Sequence, residues 1–303
     1  MTDFTCLGDQ HLGRAFKSGV PLHRVGEREA LIHAQFEREL TNVTTELHIN
    51  LGDMFDKFVV APEVVLFAAD TYARAAKANR NTHYIVMRGN HDVSRDLSRS
   101  SSFEIFTRLV ASVPNITVVG DNPLVIGNLG FLSYNAFGTA LEGVNSLPDN
   151  LTRIFTHFDY VDWGGDHVLP TQRLAAKQIF NVTNGHDHLR RSEKRHGVEV
   201  EIFGSMQPYG HAEDGTGAWY RTVTLDELQG LDTHLLNIRV LLADGDVLPT
   251  DLDCLSLTAK KVRAEDTDLE VDTTEFDSFD IEAEIGAAVD PSILEELLGV
   301  FRS

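Results

Sequence analysis

Residues 83–92 read HYIVMRGNHD, a short apolar run that ends in three polar side chains. The run HYIVM has the length and composition of a buried β-strand, and Gly89 allows the chain to turn sharply where that strand ends. Asn90, His91 and Asp92 then follow one another directly. Because three adjacent polar side chains at the end of a buried strand need partners, they predict a site at this point of the fold.

Four other apolar runs are also followed by, or end in, residues that can bind metal ions. DFTCL leads to Asp9 and His11, LHINL to Asp53, and QIFNVTNG to His186 and His188, while RIFTHF contains His157. Each motif alone has an ordinary explanation, such as a turn, a surface hydrogen bond or a core histidine. In folds where strands alternate with helices, ligands bind beyond the carboxyl ends of the strands. Five strand ends of this kind therefore predict one metal site.

The first two-thirds of the chain alternates such runs with helical patterns. Helices are predicted near residues 27–46, 63–78 and 102–113. Two strands are predicted to meet at a Gly-Asn turn in LVIGNLGFLSYN, and further strands lie in VEVEIFGSM and WYRTVTL. This alternation favours an α/β fold of stacked sheets flanked by helices, formed by a main domain of residues 1–225.

The predicted strands and helices become shorter and more irregularly spaced after residue 225. A hairpin is predicted in NIRVLLADGDVLP around Asp244 and Gly245, and a last strand in CLSLTAKKV. Residues 226–262 are therefore expected to form a small β-rich cap, or accessory module.

The C-terminal part of the chain differs in composition. Residues 263–289 are acidic and poor in packing residues, which is typical of an extended linker. Residues 290–303 predict a short helix with Asp290 as its N-cap and one apolar stripe. That stripe is expected either to dock on the protein's own domain or to bind a partner.

The formal net charge of −20 is unevenly distributed. Residues 262–303 hold thirteen acidic residues against two arginines, so that −11 of the charge lies there and −9 in the rest. Nucleic-acid-binding proteins are usually basic, but bound divalent cations would offset negative charge locally, so the charge does not exclude a DNA substrate. The two distant cysteines, the missing signal-peptide pattern and the lack of a long apolar run predict a cytoplasmic protein without a membrane span.

The number of ligands fits two metal ions. The ligands divide into two sets around a bridging residue: Asp9, His11 and His188; Asn90, His157 and His186; and Asp53 between the sets. A mixture of imidazole, carboxylate and amide ligands favours Mn²⁺, Fe or Zn²⁺, with Mg²⁺ a further possibility. Two ions about 3.5–4 Å apart promote in-line displacement at phosphorus, which predicts phosphoester hydrolysis without a nucleophilic serine or cysteine.

His91 is expected to face away from its neighbour Asn90, because consecutive residues in an extended segment point to opposite sides. It is the candidate general acid for the leaving oxygen, with Asp92 orienting and charging its ring. Asp56 is expected either to support a ligand from behind or to serve as a loop or N-cap residue.

The motifs D-x-H, G-D-x-x-D, G-N-H-D, H and G-H-x-H together resemble those of the calcineurin-like metallophosphoesterase family, over roughly residues 3–210. The resemblance implies a four-layer αββα sandwich with a dinuclear centre and the ligand roles given above. DQHLG, GDMFD and the segment GSMQPYGHAED (residues 204–214) look more narrowly like the SbcD-type nuclease subunits of DNA recombination and repair complexes, including those of bacteriophages.

This branch of the family implies a Mn²⁺-dependent DNA exonuclease or endonuclease that forms a homodimer. It also implies a C-terminal helix that binds a coiled-coil ATPase of SMC type. Two alternatives stay open on the sequence: a small-molecule phosphodiesterase or phosphoprotein phosphatase that uses the same centre, and a non-enzymatic scaffold whose working part is the C-terminal helix.

Overall fold

A computed structural model describes residues 3–94, 96, 99–162 and 164–262. The first sheet has four parallel strands, neighbours in chain order: β1 (Phe4–Leu7), β2 (Leu47–Asn50), β3 (His83–Val86) and β4 (Ile116–Val118). The helices between them are α1 (Glu27–Thr41), α2 (Pro62–Ala78) and α3 (Ser102–Val110). The three predicted helices are confirmed. Because the strands are parallel, their carboxyl ends all lie at one edge of the sheet.

The second sheet has six strands: β5 (Leu124–Ile126), β6 (Leu129–Leu132), β7 (Arg153–Thr156), β8 (Asn181–Asn184), β9 (Arg191–Arg195) and β10 (Val198–Ile202). Their order is β5-β6-β7-β8-β10-β9, with four parallel central strands and an antiparallel strand at each edge. The predicted turn between β5 and β6 is confirmed. Two short helices, α4 (Ala140–Ser146) and α5 (Thr171–Ala176), accompany this sheet.

The core has three apolar layers. Between the sheets, Ile49 of β2 belongs to one cluster with Phe131 and Phe155, whose rings stack with centroids 5.0 Å apart. The outer face of the first sheet packs on α1, α2 and α3 around Phe36. The outer face of the second sheet packs on α4 and α5 around Leu174. The predicted α/β fold with four αββα layers is therefore confirmed.

A third, smaller sheet follows, with the parallel order β11 (Tyr220–Thr224), β12 (Asn237–Leu242) and β13 (Ser256–Lys261), and with helix α6 (Leu225–Leu228) after β11. The predicted last strand is confirmed. The predicted hairpin is wrong, because β12 pairs in parallel with β13. A turn does form at this point, with hydrogen bonds between Ala243 and Asp246. The chain beyond the turn contains Pro249, which has no N–H to donate to a neighbouring strand. Leu248 and Leu252 of this segment pack on the apolar cluster of the third sheet.

The predicted linker of residues 263–289 and helix of residues 290–303 lie outside the described residues. In the part of the chain that is described, no helix has both the length and the apolar composition needed to cross a bilayer.

Candidate metal centre

The loops that follow β1, β2 and β8 are held together by hydrogen bonds. The backbone N–H groups of Gln10 and His11 both donate to the carbonyl oxygen of Asp53 at 3.0 Å, which joins the loop after β1 to the loop after β2. The N–H of His186, two positions after the end of β8, donates to the carboxylate of Asp9 at 3.0 Å. The strand ends of the two sheets therefore meet at one place.

Four residues at this place have a left-handed backbone. Their φ angles are 28° at Asp9, 46° at His11, 49° at Asp53 and 75° at His186. Such angles are uncommon for residues other than glycine, and they cluster at functional sites because the surrounding structure must hold the strain. Four strained turns around one point indicate a site kept for its chemistry.

Two glycines allow the loops to come this close. A Cβ atom at Gly52, where φ is 108°, would lie 2.6 Å from Nδ1 of His157. A Cβ atom at Gly89 would lie 2.1 Å from Oδ1 of Asp53. Neither position can hold a larger residue without displacing a predicted ligand.

The first set of predicted ligands comes together. Asp9 and His11 are buried, and Nε2 of His11 lies 3.0 Å from Nε2 of His188. One ligand atom from each of the three residues lies within 4.8 Å of the others. This is close enough for all three to contact one ion.

The second set comes together beside the first. Oδ1 of Asn90 lies 3.0 Å from Nε2 of His157 and 2.9 Å from Nδ1 of His186. Oδ2 of Asp53 lies 3.4 Å from Nε2 of His157 and 3.8 Å from Nε2 of His11, so this carboxylate stands between the two sets. All seven residues predicted as ligands therefore converge, in the two predicted sets.

The hydrogen bonds around the second set show that it suits a cation. Nδ1 of His157 donates to the carbonyl oxygen of Leu51 at 2.8 Å, and Nε2 of His186 lies 2.6 Å from the carboxylate of Asp159. Because carbonyl and carboxylate oxygens only accept, the other ring nitrogen of each neutral histidine carries a lone pair. Both lone pairs face Oδ1 of Asn90, another acceptor. The two ring nitrogens and Oδ1 of Asn90 are therefore three lone-pair donors that point at one place, where a metal ion can bind all three.

The first set is supported in the same way. Nδ1 of His188 lies 3.1 Å from Oε1 of Glu213, and Nδ1 of His11 lies 3.5 Å from Oδ1 of Asp56. Asp56 therefore lies behind the first set, at a distance from Nδ1 of His11 that is longer than a hydrogen bond. The sequence patterns do not predict the supporting roles of Asp159 and Glu213. Asp159 stands two positions after the predicted ligand His157, and Glu213 lies in the GHAED part of residues 204–214.

The pKa values show that positive charge is favoured here. Burial opposes protonation of His157, but the negative charge and hydrogen bond of Asp53 outweigh it and raise the His157 pKa to about 9. Burial also opposes ionisation of Asp53, yet nearby histidines, above all His157, lower its pKa. Burial raises the pKa of Asp9 to about 7. A divalent cation bound by neutral His157 would replace the proton on that ring and stabilise the buried carboxylates in its place.

His91 and Asp92 are placed differently from the prediction. The His91 ring is exposed, and its Nδ1 donates to the carbonyl oxygen of Asp56 at 2.6 Å. The buried carboxylate of Asp92 accepts from the backbone N–H groups of Gly89 at 2.9 Å and Phe55 at 3.1 Å. The predicted role of Asp92 in orienting His91 is therefore wrong: Asp92 joins two ligand loops through their backbone, and the Asp56 carbonyl holds the ring.

The contact between His186 and Asp159 leads to a testable expectation. Replacing Asp159 by Asn should weaken binding of Mn²⁺ by about 10- to 100-fold, because the carboxylate fixes the tautomer and orientation of the ring. Titration calorimetry of metal-free protein measures this affinity. The control is Asp162→Asn, an exposed carboxylate three positions further on. Equal Mn²⁺ affinity for the wild type and Asp159→Asn would contradict the supporting role.

No protein-family model and no curated protein matches the chain. Solved structures that resemble it include the phosphopantetheinyl hydrolase PptH from Mycobacterium tuberculosis, with 9% identity over 68% of this chain and 93% of that chain and a TM-score of 0.40. The protein TT1561 of Thermus thermophilus has 9% identity over 68% and 90%, with a TM-score of 0.44. GAP50, the anchor in the inner membrane complex of Plasmodium, has 12% identity over 68% and 72%, with a TM-score of 0.41. The fold assignment rests on the sheets and apolar layers described above.

Proposed function

We propose that this protein is a metal-dependent phosphoesterase of the calcineurin-like family and that it hydrolyses phosphodiester bonds of DNA. The observation that carries the proposal is the pair of ligand sets on either side of Asp53, at the carboxyl ends of two facing sheets. One ion would be held by Asp9, His11 and His188, and the other by Asn90, His157 and His186, with Asp53 shared.

Two bound divalent ions supply a nucleophile from water at neutral pH and neutralise the charge that develops on the phosphoryl group. The mixture of imidazole, carboxylate and amide donors supports Mn²⁺ as the metal, with Fe, Zn²⁺ and Mg²⁺ as competitors.

His91 supports the chemical step from beside the ligand sets, where one of its ring nitrogens lies within 4.8 Å of ligand atoms of His11 and Asp53. Its Nδ1 donates to the Asp56 carbonyl, and its backbone N–H donates to Oδ1 of Asp53 at 2.9 Å, so the ring is fixed beside the shared carboxylate. In the imidazolium form, the proton on Nε2 is free to pass to the leaving oxygen. This assigns general-acid catalysis to His91 and leaves Asp92 a structural role.

DNA is proposed as the substrate on two grounds. The segments DQHLG, GDMFD and GSMQPYGHAED resemble those of SbcD-type nuclease subunits, including those of bacteriophages. A cavity of about 670 Å³ beside His91 offers space for more than one phosphate group, and Arg14 and Lys57 line it. A small-molecule phosphodiesterase or phosphoprotein phosphatase is the competing function.

The test is an assay of the full-length protein with Mn²⁺ on single- and double-stranded DNA, with the metal-free protein as control. A chromogenic phosphodiester and a phosphopeptide are assayed in parallel. We expect DNA to be degraded only in the presence of metal. Rapid turnover of the small substrates with DNA left intact would contradict the nuclease proposal and favour the competing function.

A homodimer is part of the same proposal. Leu66 of α2 and Ile105 and Leu109 of α3 are exposed to 58%, 45% and 46% on helices that pack on each other. Exposed apolar side chains on two neighbouring helices support a proposed two-fold interface between copies. We expect Ile105→Lys with Leu109→Lys to halve the mass measured by light scattering. An unchanged mass would remove these residues from the interface.

A coiled-coil ATPase of SMC type, in the cytoplasm, is proposed as the partner of residues 290–303. The support is the apolar stripe in that sequence, which follows the acidic residues 263–289. Deleting the residues after Val289 should abolish co-elution with the ATPase and leave metal-dependent cleavage intact. Co-elution of the shortened chain would overturn the assignment.

A further inference from the structure

We infer that Arg14 and Lys57 bind a second phosphate group of the substrate, the one next to the scissile phosphate on the leaving-group side. The inference rests on the proposed function and deepens it, because it says which side of the metal centre the polynucleotide occupies. Three observations lead to it.

The first observation is the way Arg14 is held. Cζ of its guanidinium lies 5.1 Å from the ring centroid of Tyr209 and 6.0 Å from that of Phe16. Nη1 lies 3.5 Å from Oδ1 of Asp56, and within the described part of the chain this long contact is the one polar contact of the guanidinium. The aromatic rings therefore position the group while most of its five N–H donors stay available for an anion.

The second observation is the cavity that Arg14 shares with the proposed general acid. Arg14, Lys57 and His91 all line the cavity of about 670 Å³, and Asn90 connects it to the ligand sets. Because His91 protonates the leaving oxygen, the atoms beyond that oxygen must enter this cavity. In DNA the leaving nucleoside carries the next phosphodiester, which would arrive between the two cationic side chains.

The third observation is the opposite charge on the other side of the centre. The cavity next to His186 and His188, of about 350 Å³, is lined by Asp159, Glu213 and Asp187, of which Asp187 pairs with Arg191 at 2.6 Å. These carboxylates disfavour a second phosphate group there. Asp56 also lines the cavity beside His91, but Arg14 and Lys57 leave that cavity net positive. The difference in charge between the two cavities therefore directs the polynucleotide towards Arg14 and Lys57.

The test compares two substrates that differ in the second phosphate. A short single-stranded oligonucleotide carries it, and bis(p-nitrophenyl) phosphate does not. For Arg14→Gln we expect KM for the oligonucleotide to rise about 10- to 100-fold, the size of one lost charge-assisted contact. The rise should be at least about tenfold larger than any change with the chromogenic substrate.

Three further variants complete the design. Lys57→Gln, at an exposed position, should also raise KM more for the oligonucleotide than for bis(p-nitrophenyl) phosphate, but by a smaller factor than Arg14→Gln. Arg14→Lys should recover part of the loss, since it restores the charge without the planar donor group. Arg38→Gln is the matched control, because it removes one positive charge from an exposed position on α1.

The salt dependence of oligonucleotide binding gives a second readout. Each lost phosphate contact should reduce the slope of log affinity against log salt by about 0.7 for a single strand. An Arg14→Gln variant that is impaired equally on both substrates, or unimpaired on both, would overturn the inference while leaving the proposed nuclease function standing. A wild-type protein that cleaves bis(p-nitrophenyl) phosphate but no DNA would overturn both.

Discussion

Asp53→Asn is expected to lower the metal content from two ions per chain to one or none and to reduce Mn²⁺-dependent phosphodiester hydrolysis by more than about 10³-fold. The reason is the position of Oδ2, 3.4 Å from Nε2 of His157 and 3.8 Å from Nε2 of His11. The substitution removes the shared negative charge but keeps an oxygen that can accept from the N–H of His91. Plasma mass spectrometry of the dialysed protein measures the metal content.

The matched control is Asp70→Asn, an exposed carboxylate on α2 that pairs with Arg74. It should retain two ions and wild-type activity. A thermal unfolding curve separates loss of metal from loss of fold. If Asp53→Asn still bound two ions with wild-type affinity, Asp53 would not be the shared ligand.

His91→Asn should lower kcat on DNA by about 10²- to 10⁴-fold while the metal content stays at two ions per chain. The expectation follows from the exposed ring, which the Asp56 carbonyl holds at Nδ1. A ligand atom of His91 also lies within 4.8 Å of ligand atoms of His11 and Asp53, so the metal content decides between a general acid and a ligand. The loss should be much smaller with bis(p-nitrophenyl) phosphate, because nitrophenolate leaves without needing a proton. A steady-state comparison of the two substrates measures this difference.

His23→Asn is the control for this variant, since His23 is exposed and belongs to none of the metal-binding groups of the described residues. Loss of an ion from His91→Asn would make His91 a ligand. Full activity of His91→Asn on DNA would show that the leaving oxygen does not take its proton from His91.

The fold and the ligand sets could be predicted because they depend on local patterns. Strands such as HYIVM show their apolar composition directly, and the ligand residues stand immediately after them. The parallel order of the strands then forces those positions to one edge. The number of ligands alone places Asp53 between two ions, and the structure adds that its strand lies between β1 and β3.

The supporting contacts could not be predicted, because they join residues that are distant in the chain or depend on backbone groups. Glu213 supports His188 from a loop beyond β10, and Leu51 supports His157 through a carbonyl that every residue has. The sequence predicts that Asp92 orients the ring of its neighbour His91, but the Asp92 carboxylate instead accepts hydrogen bonds from buried backbone N–H groups. The residues around Asp244 have the composition of a hairpin turn. The next strand, β13, nevertheless pairs with β12 in parallel.

The most direct test of the dinuclear centre is an anomalous difference map, at the manganese edge, of a crystal soaked in Mn²⁺. Two peaks are expected, about 3.5–4 Å apart. One should touch Asp9, His11 and His188, the other should touch Asn90, His157 and His186, and Asp53 should contact both. A single peak, or peaks that leave the Asp53 carboxylate without an ion, would contradict the account.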